Sequence, residues 1–252
     1  MSPVEFEPPI TAPSDIVEVV RRQGFAVASS SFLHGLPGAS RVDFPALAAE
    51  WDDMPLDPYL KDGGRYRRRR HASFLVDETS CQIVPHRAHF QPLQYNALHG
   101  GMERWFEPMR RPFLEQPFWS TLLTGIGRVC SDIARPAPWY VEAHQFRIDT
   151  SEGIGRPTPE GAHRDGVDFV VLFLIARQGI RGGETRVFDA RGPQGIRFTL
   201  TEPWSFLLLD DERVIHESTP IQPLLGGESG ALPYGHRDTL VLTYRRNGFQ
   251  DR

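Results

Sequence analysis

Cysteine is nearly absent: Cys81 and Cys130 are the only two in 252 residues. That allows one bridge at most, and no CxxC pair exists, so neither a disulfide framework nor a cysteine zinc site organises this chain. Both cysteines read as ordinary buried thiols. The opening residues MSPVEFEPPI have no basic stretch followed by an apolar one, so no secretory signal is visible. The longest apolar run, about residues 169–176, is too short to span a bilayer. The net charge of −4 and pI near 6.1 leave no basic excess for a nucleic-acid-binding surface. A cytoplasmic protein without membrane or nucleic-acid partners is the expectation.

What is present is ordinary globular composition, 40% hydrophobic and 24% charged, enough to bury one sizeable core. Twenty-two prolines and twenty-three glycines are spread along the chain rather than pooled in a linker. That spread favours many short elements separated by turns. The first half reads as mixed. Helices are expected over 16–23, with Gly24 as stop, over 45–51 near Asp43, and over 117–134. Strands are expected over 25–29, 65–77, 82–85 and 90–95. After Pro138 seven strands follow with no helical period between them: 139–149, 167–176, 184–189, 195–200, 204–209, 214–218 and 237–245. The reading is one domain, 1–252. Its mixed part, 1–138, covers a β-sandwich core, 139–252, that carries the chemistry.

That chemistry starts at His163 and Asp165. Residues i and i+2 of a strand project to one side, so an imidazole and a carboxylate converge there. His216, closing a later strand, is the third candidate. Two histidines and one carboxylate leave open positions on an octahedral metal, the pattern of non-haem Fe(II) that must also take a co-substrate and O2. Alone, His-x-Asp equally describes a surface turn. Arg237 opens the last strand, where its guanidinium could clamp a dicarboxylate, with Thr239 on the same face. A solvated strand-end charge is the plainer reading of Arg237.

Several stretches follow one another over about residues 139–246. They are His144-Gln145-Phe146-Arg147-Ile148, Pro159-Glu160-Gly161 with His163-Arg164-Asp165, and Gly182-Gly183-Glu184-Thr185. Leu209-Asp210-Asp211, Val214-Ile215-His216 with Thr219-Pro220, and Arg237-Asp238 complete the series. In this order they resemble the bacterial 2-oxoglutarate and iron dioxygenase family that includes the free L-isoleucine 4-hydroxylases. Arg65-x-Arg67 resembles an N-terminal feature of that family. The resemblance implies a mainly β fold with flanking helices (α+β), a double-stranded β-helix or cupin-like jelly roll. It implies Fe(II), 2-oxoglutarate and O2 as cofactor and co-substrates. It carries His163, Asp165 and His216 as metal ligands and Arg237 as the 2-oxoglutarate clamp. It does not carry the substrate.

For the substrate, a small polar molecule and most naturally a free L-amino acid, the arginines matter. In Arg65-Tyr66-Arg67-Arg68-Arg69-Arg70-His71, strand geometry puts Arg65, Arg67 and Arg69 on one face. That face either lines the pocket mouth and takes a carboxylate or is simply solvated. Arg147, sharing a face with Gln145, is a second candidate, or else pairs with a neighbouring acid. His86, His89 and His99 read as loop residues, and His144 as packed or hydrogen-bonded. Asp210 and Asp211 read as acids of a strand-end turn, or else as groups that orient His216. The competing readings are a non-catalytic binding protein, stress- or biofilm-related, that keeps the jelly roll, and an enzyme that modifies protein or nucleic acid. A homodimer is compatible with any of them.

Overall fold

The computed structural model describes residues 6–37, 39, 42–136, 138–224 and 234–251. Helix α1 (Ile16–Gln23) turns its buried Ile16 and Val20 to the core. It stops at Gly24, whose φ of 86° suits glycine and whose N–H donates to the Val20 carbonyl at 2.8 Å. The short helices α2 (Ser31–His34), α3 (Phe44–Leu47) and α4 (Arg111–Leu114) follow the chain around the sheet. Asp43 caps α3 by accepting the Ala46 N–H at 3.1 Å. Helix α5 (Pro117–Ile133) is the longest and buries Phe118, Trp119, Leu122, Leu123, Ile126 and Cys130.

Twelve strands are formed by the described residues. They are β1 (Phe25–Ala28), β2 (Arg67–Val76), β3 (Cys81–Ile83), β4 (Trp139–Asp149), β5 (Phe169–Gln178) and β6 (Ile180–Gly182). The others are β7 (Thr185–Asp189), β8 (Gly195–Phe198), β9 (Phe206–Asp210), β10 (Val214–Ser218), β11 (Ile221–Pro223) and β12 (His236–Arg245). A seven-stranded antiparallel sheet runs in the order β1-β9-β5-β12-β4-β2-β3. The smaller sheet β10-β7-β8 and the pair β11-β6 complete a jelly roll. The large sheet mixes the two halves of the sequence, since β1, β2 and β3 precede residue 139. The stretch 90–95, expected as a strand, is irregular instead. It closes in a turn: the N–H groups of Tyr95 and of Asn96 just beyond it both donate to the Pro92 carbonyl.

The period-two pattern gives the large sheet two different faces. Ala72, Phe74, Val141, Ala143, Val171, Phe173, Leu240, Leu242 and Tyr244 pack with α5 into one apolar layer. The Tyr244 hydroxyl enters that layer and donates to the Leu123 carbonyl at 2.9 Å. The opposite face is apolar at one end, where Val170, Leu174, Leu207 and Leu209 meet Val187, Phe198 and Val214 of the small sheet. Around β2, β4 and β12 that face is polar and lines a cavity of about 940 Å³, its open mouth included. No helix among the described residues is long and apolar enough to cross a membrane. Cys81 and Cys130 are both free, the first half-buried and the second buried.

Candidate metal centre

His163 and His216 face each other across two main-chain hydrogen bonds, each N–H donating to the other's carbonyl at 3.0 Å. This pairing fixes both Cα positions before any side chain is considered. Asp165 lies two residues on. Its Oδ1 is 3.7 Å from His163 Nε2 and its Oδ2 3.7 Å from His216 Nε2. One ligating atom from each of the three lies within 4.8 Å of the others. The structure thus brings together the three residues the spacing singled out.

The Asp165 loop is held from behind by Asp211. Its carboxylate accepts the Asp165 N–H at 3.0 Å, the Gly166 N–H at 2.7 Å and the Val167 N–H at 3.2 Å. Asp211 therefore orients the Asp165 ligand rather than His216. Burial, with the Asp165 carboxylate beside it, pushes Asp211 up to about 7. Gly166 has a φ of 77°, and a Cβ there would lie 2.4 Å from the Tyr95 ring, so the loop's turn demands glycine.

The donor set fits a divalent iron. His163 Nδ1 lies 3.0 Å from the Gly161 carbonyl, a contact that places its proton on Nδ1 and frees Nε2 for a metal. Burial, then the neighbouring His163, lowers His216 to about 4, which keeps its imidazole neutral. Burial presses His163 down, but the Asp165 carboxylate facing it, with Glu160 beside it, outweighs burial and lifts His163 to about 10. Two neutral nitrogens and one carboxylate oxygen are the ligand types that suit iron with open positions.

Arg237 and Thr239 line the same cavity, both buried. They share a face of β12 with Val241 and Thr243. The Arg237 Nη2 has no hydrogen-bond partner. Burial, then the nearby Arg177 charge, lowers this guanidinium to about 10. An unpartnered buried donor beside the triad is what a dicarboxylate's far end would satisfy.

Residues 48–243 match the family described as 2OG-Fe dioxygenase. The chain belongs to the 2OG-Fe dioxygenase family. It is similar to a solved bsmA homologue from Methylobium petroleophilum PM1 at 52% identity, covering 97% of each chain with a TM-score of 0.88. The structure of IDO from Bacillus thuringiensis matches at 17% identity and TM-score 0.74, over 94% of this chain and 97% of that one. The Fe(II)/(alpha)ketoglutarate-dependent dioxygenase TqaL matches at 20% and 0.68, over 93% and 87%. At those lower identities the likeness shows the fold. No curated protein matches the chain. The enzyme is a 2-oxoglutarate-dependent dioxygenase, and its family uses Fe(II), 2-oxoglutarate and O2.

The arginines expected to meet substrate divide in the dioxygenase. Arg67 lines the cavity, but its Nε donates to Asp57 at 2.8 Å, so its charge is already matched. Arg65 precedes β2 and is exposed; its backbone N–H, not its side chain, is engaged, by Glu152 at 2.9 Å. Gln145 and Arg147 correct the expectation more sharply. Alternation along β4 puts Glu142, His144, Phe146 and Ile148 in the cavity and turns Gln145 and Arg147 to the other face, with Val141 and Ala143. There Arg147 grips its cross-strand partner Asp238 with two hydrogen bonds of 2.8 and 2.7 Å, and Asp52 at 3.0 Å. It is the acid-paired arginine that was the plainer alternative.

Sequence reasoning missed a second cluster. His71, His89, Glu142 and His144 are all buried, and their ligating atoms also lie within 4.8 Å of one another. Glu142 accepts from His71 and His89 at 3.1 Å each and from Arg87 at 3.2 Å. His144 stacks on His71, with ring centroids 4.8 Å apart. His89, read as a loop residue, pairs its backbone with Arg104 and is held down to about 3 by burial despite Glu142. Arg69 and Arg87 touch this cluster, so a cation there would meet two guanidiniums. Its available signal was Glu142 and His144 two apart inside an apolar strand. Gln91, also missed, donates to Asp165 Oδ1 at 3.1 Å.

Proposed function

We propose that this dioxygenase hydroxylates a free L-amino acid, as the free L-isoleucine 4-hydroxylases it resembles do. His163, Asp165 and His216 hold the iron, and Arg237 with Thr239 holds the distal carboxylate of 2-oxoglutarate. The observation that carries the reading is the charge left over in the cavity beside the triad. Arg69 and Arg104 have no acidic partner within ion-pairing distance among the described residues. Glu160 has a buried Oε2 with no hydrogen-bond partner. Its Oε1 lies 3.5 Å from His163 Nε2. Guanidiniums with no acid at ion-pairing distance, beside a carboxylate oxygen that lacks a donor, suit a small zwitterion better than a neutral molecule.

When bound, iron with 2-oxoglutarate and O2 supplies the oxidation of an unactivated C–H bond, with succinate and CO2 as by-products. The chain's own residues orient and enclose. Asp211 fixes the Asp165 loop, and the His163–His216 backbone pair sets the ligand spacing. Arg237 points the co-substrate, and Phe146, Ile148 and Val241 wall the cavity and exclude water. Residues 139–252 carry the proposed metal ligands and co-substrate clamp, while 1–138 contribute β1, β2 and β3 to the large sheet and part of the cavity wall.

The test is succinate release by the Fe(II)-loaded enzyme with 2-oxoglutarate across a panel of free L-amino acids. One or a few should stimulate release well above the background without substrate. Stimulation by a peptide or an oligonucleotide, and by no amino acid, would overturn the substrate reading and leave the iron site standing.

A further inference from the structure

Two buried guanidiniums in the cavity have no acid within ion-pairing distance among the described residues, feeling Asp57 and Glu142 only from farther off, and they differ in this from Arg67 beside them. Arg69 is 5% exposed and Arg104 2%. Arg69 Nη2 contacts His144 Nδ1 at 3.0 Å, and Arg104 Nη2 donates to Gln91 Oε1 at 3.4 Å. The Nε of each has no hydrogen-bond partner. The flat faces of Arg69 are covered, with Phe106 3.9 Å and Phe146 4.5 Å from ring centroid to guanidinium carbon. Phe106 also lies 5.9 Å from the Arg104 guanidinium. With its faces covered by rings, a guanidinium keeps its edge for in-plane acceptors, the geometry that carboxylates match.

The surroundings hold these edges in place. His144 accepts from Arg69 through Nδ1, which puts its own proton on Nε2, and it is braced by stacking on His71. Gln91 accepts from Arg104 and from Asn96 and donates to Asp165, so one amide links Arg104 to a candidate iron ligand. Buried arginines left without an acid destabilise a fold, and such groups are retained where a ligand completes them.

We propose that Arg69 and Arg104 form the seat of the substrate's carboxylate, separate from the Arg237 clamp for 2-oxoglutarate. The inference rests on the dioxygenase reading above and narrows it. The substrate must bring a free, ionised carboxylate, so an amide, an ester or a residue inside a peptide is rejected. His144 and Gln91 act as positioning residues for the two guanidiniums.

The test uses the full chain loaded with Fe(II) and 2-oxoglutarate under nitrogen. Melting temperature is followed while free L-amino acids, their 2-hydroxy-acid analogues and their C-terminal amides are added. At least one acid should raise the melting temperature, and its amide should bind roughly tenfold to a hundredfold more weakly. Arg69→Met and Arg104→Met should melt at or above the wild-type temperature without added acid, yet lose the response to it. A purely structural arginine would lower the unliganded melting temperature instead. An amide that stabilises as well as its acid, no response to any acid, or variants that keep the response would each overturn the proposal. The acid-to-amide comparison needs no variant, so it stands even if a substitution fails to fold. If 2-hydroxy acids stabilise in this manner while no amino acid stimulates succinate release, the seat stands and the amino-acid reading falls.

Discussion

Two clusters of histidine and carboxylate lie in this molecule, built from the same residue types with opposite results. In the cluster His71-His89-Glu142-His144, the carboxylate is consumed: His71 and His89 lie 3.1 Å from its two oxygens, and Arg87 adds a third contact. In the cluster His163-Asp165-His216, the nitrogens stand 3.7 Å from the carboxylate oxygens, too far for good hydrogen bonds and suitably placed around a shared centre. The first cluster is closed on itself and braced by cations. The second is held apart by backbone, with Asp211 and the His163–His216 pair doing the holding. The difference teaches that residue types alone do not make a metal site. Lone pairs kept from satisfying one another do.

The comparison can be broken by substitution. His216→Ala should abolish succinate release, because the open cluster loses one of its two histidine ligands. Glu142→Gln should leave iron binding intact but destabilise the fold by about 3–5 kcal/mol, the usual result of breaking a buried ion pair from one side. Chemical denaturation reads the second effect and anaerobic iron titration the first. Arg237→Ala should weaken 2-oxoglutarate binding by roughly one to two decades, equivalent to about 1.5–3 kcal/mol for a charge-assisted pair. Wild-type affinity for 2-oxoglutarate in that variant would remove Arg237 from the site.

Acidification sharpens the contrast with a smaller effect. His89 is depressed from an ordinary 6.5 to about 3, chiefly by burial. Between those values the unfolded chain binds a proton that the folded chain refuses, so stability is full above 6.5 and is lost as pH falls toward 3. His89 contributes a slope of at most about 1.4 kcal/mol per pH unit. Urea midpoints between pH 7 and pH 4 should fall accordingly, and His89→Gln should flatten the slope.

Much of this was legible in the sequence. Apolar stretches cut by glycine, proline or acidic breaks placed β4, β5, β9, β10 and β12, and Gly24 marked the end of α1, because those signals are local. His163 and Asp165 were found since i, i+2 spacing is itself geometry, and His216 since it closed a strand. The substrate side was less legible, and for a physical reason. Whether Arg147 or Arg69 faces the cavity depends on the parity of its strand against the sheet. For Arg147 that parity was visible in Val141 and Ala143, two apolar residues on its own side of β4. Arg104 and Gln91 lie in irregular segments with no period to read, and they reach the cavity only through tertiary packing. The unmatched charge of Arg69 became evident only when Asp57 was seen to take Arg67 and no acid to take its neighbour.

The central claim is that the open cluster, and not the closed one, takes the metal. Anaerobic calorimetric titration of Fe(II) into the wild-type chain, Asp165→Asn and Glu142→Gln tests it most directly. The account predicts one tight site per chain in the wild type, the same site in Glu142→Gln, and its loss in Asp165→Asn. Retention of that site in Asp165→Asn, or its loss in a folded Glu142→Gln, would contradict the account.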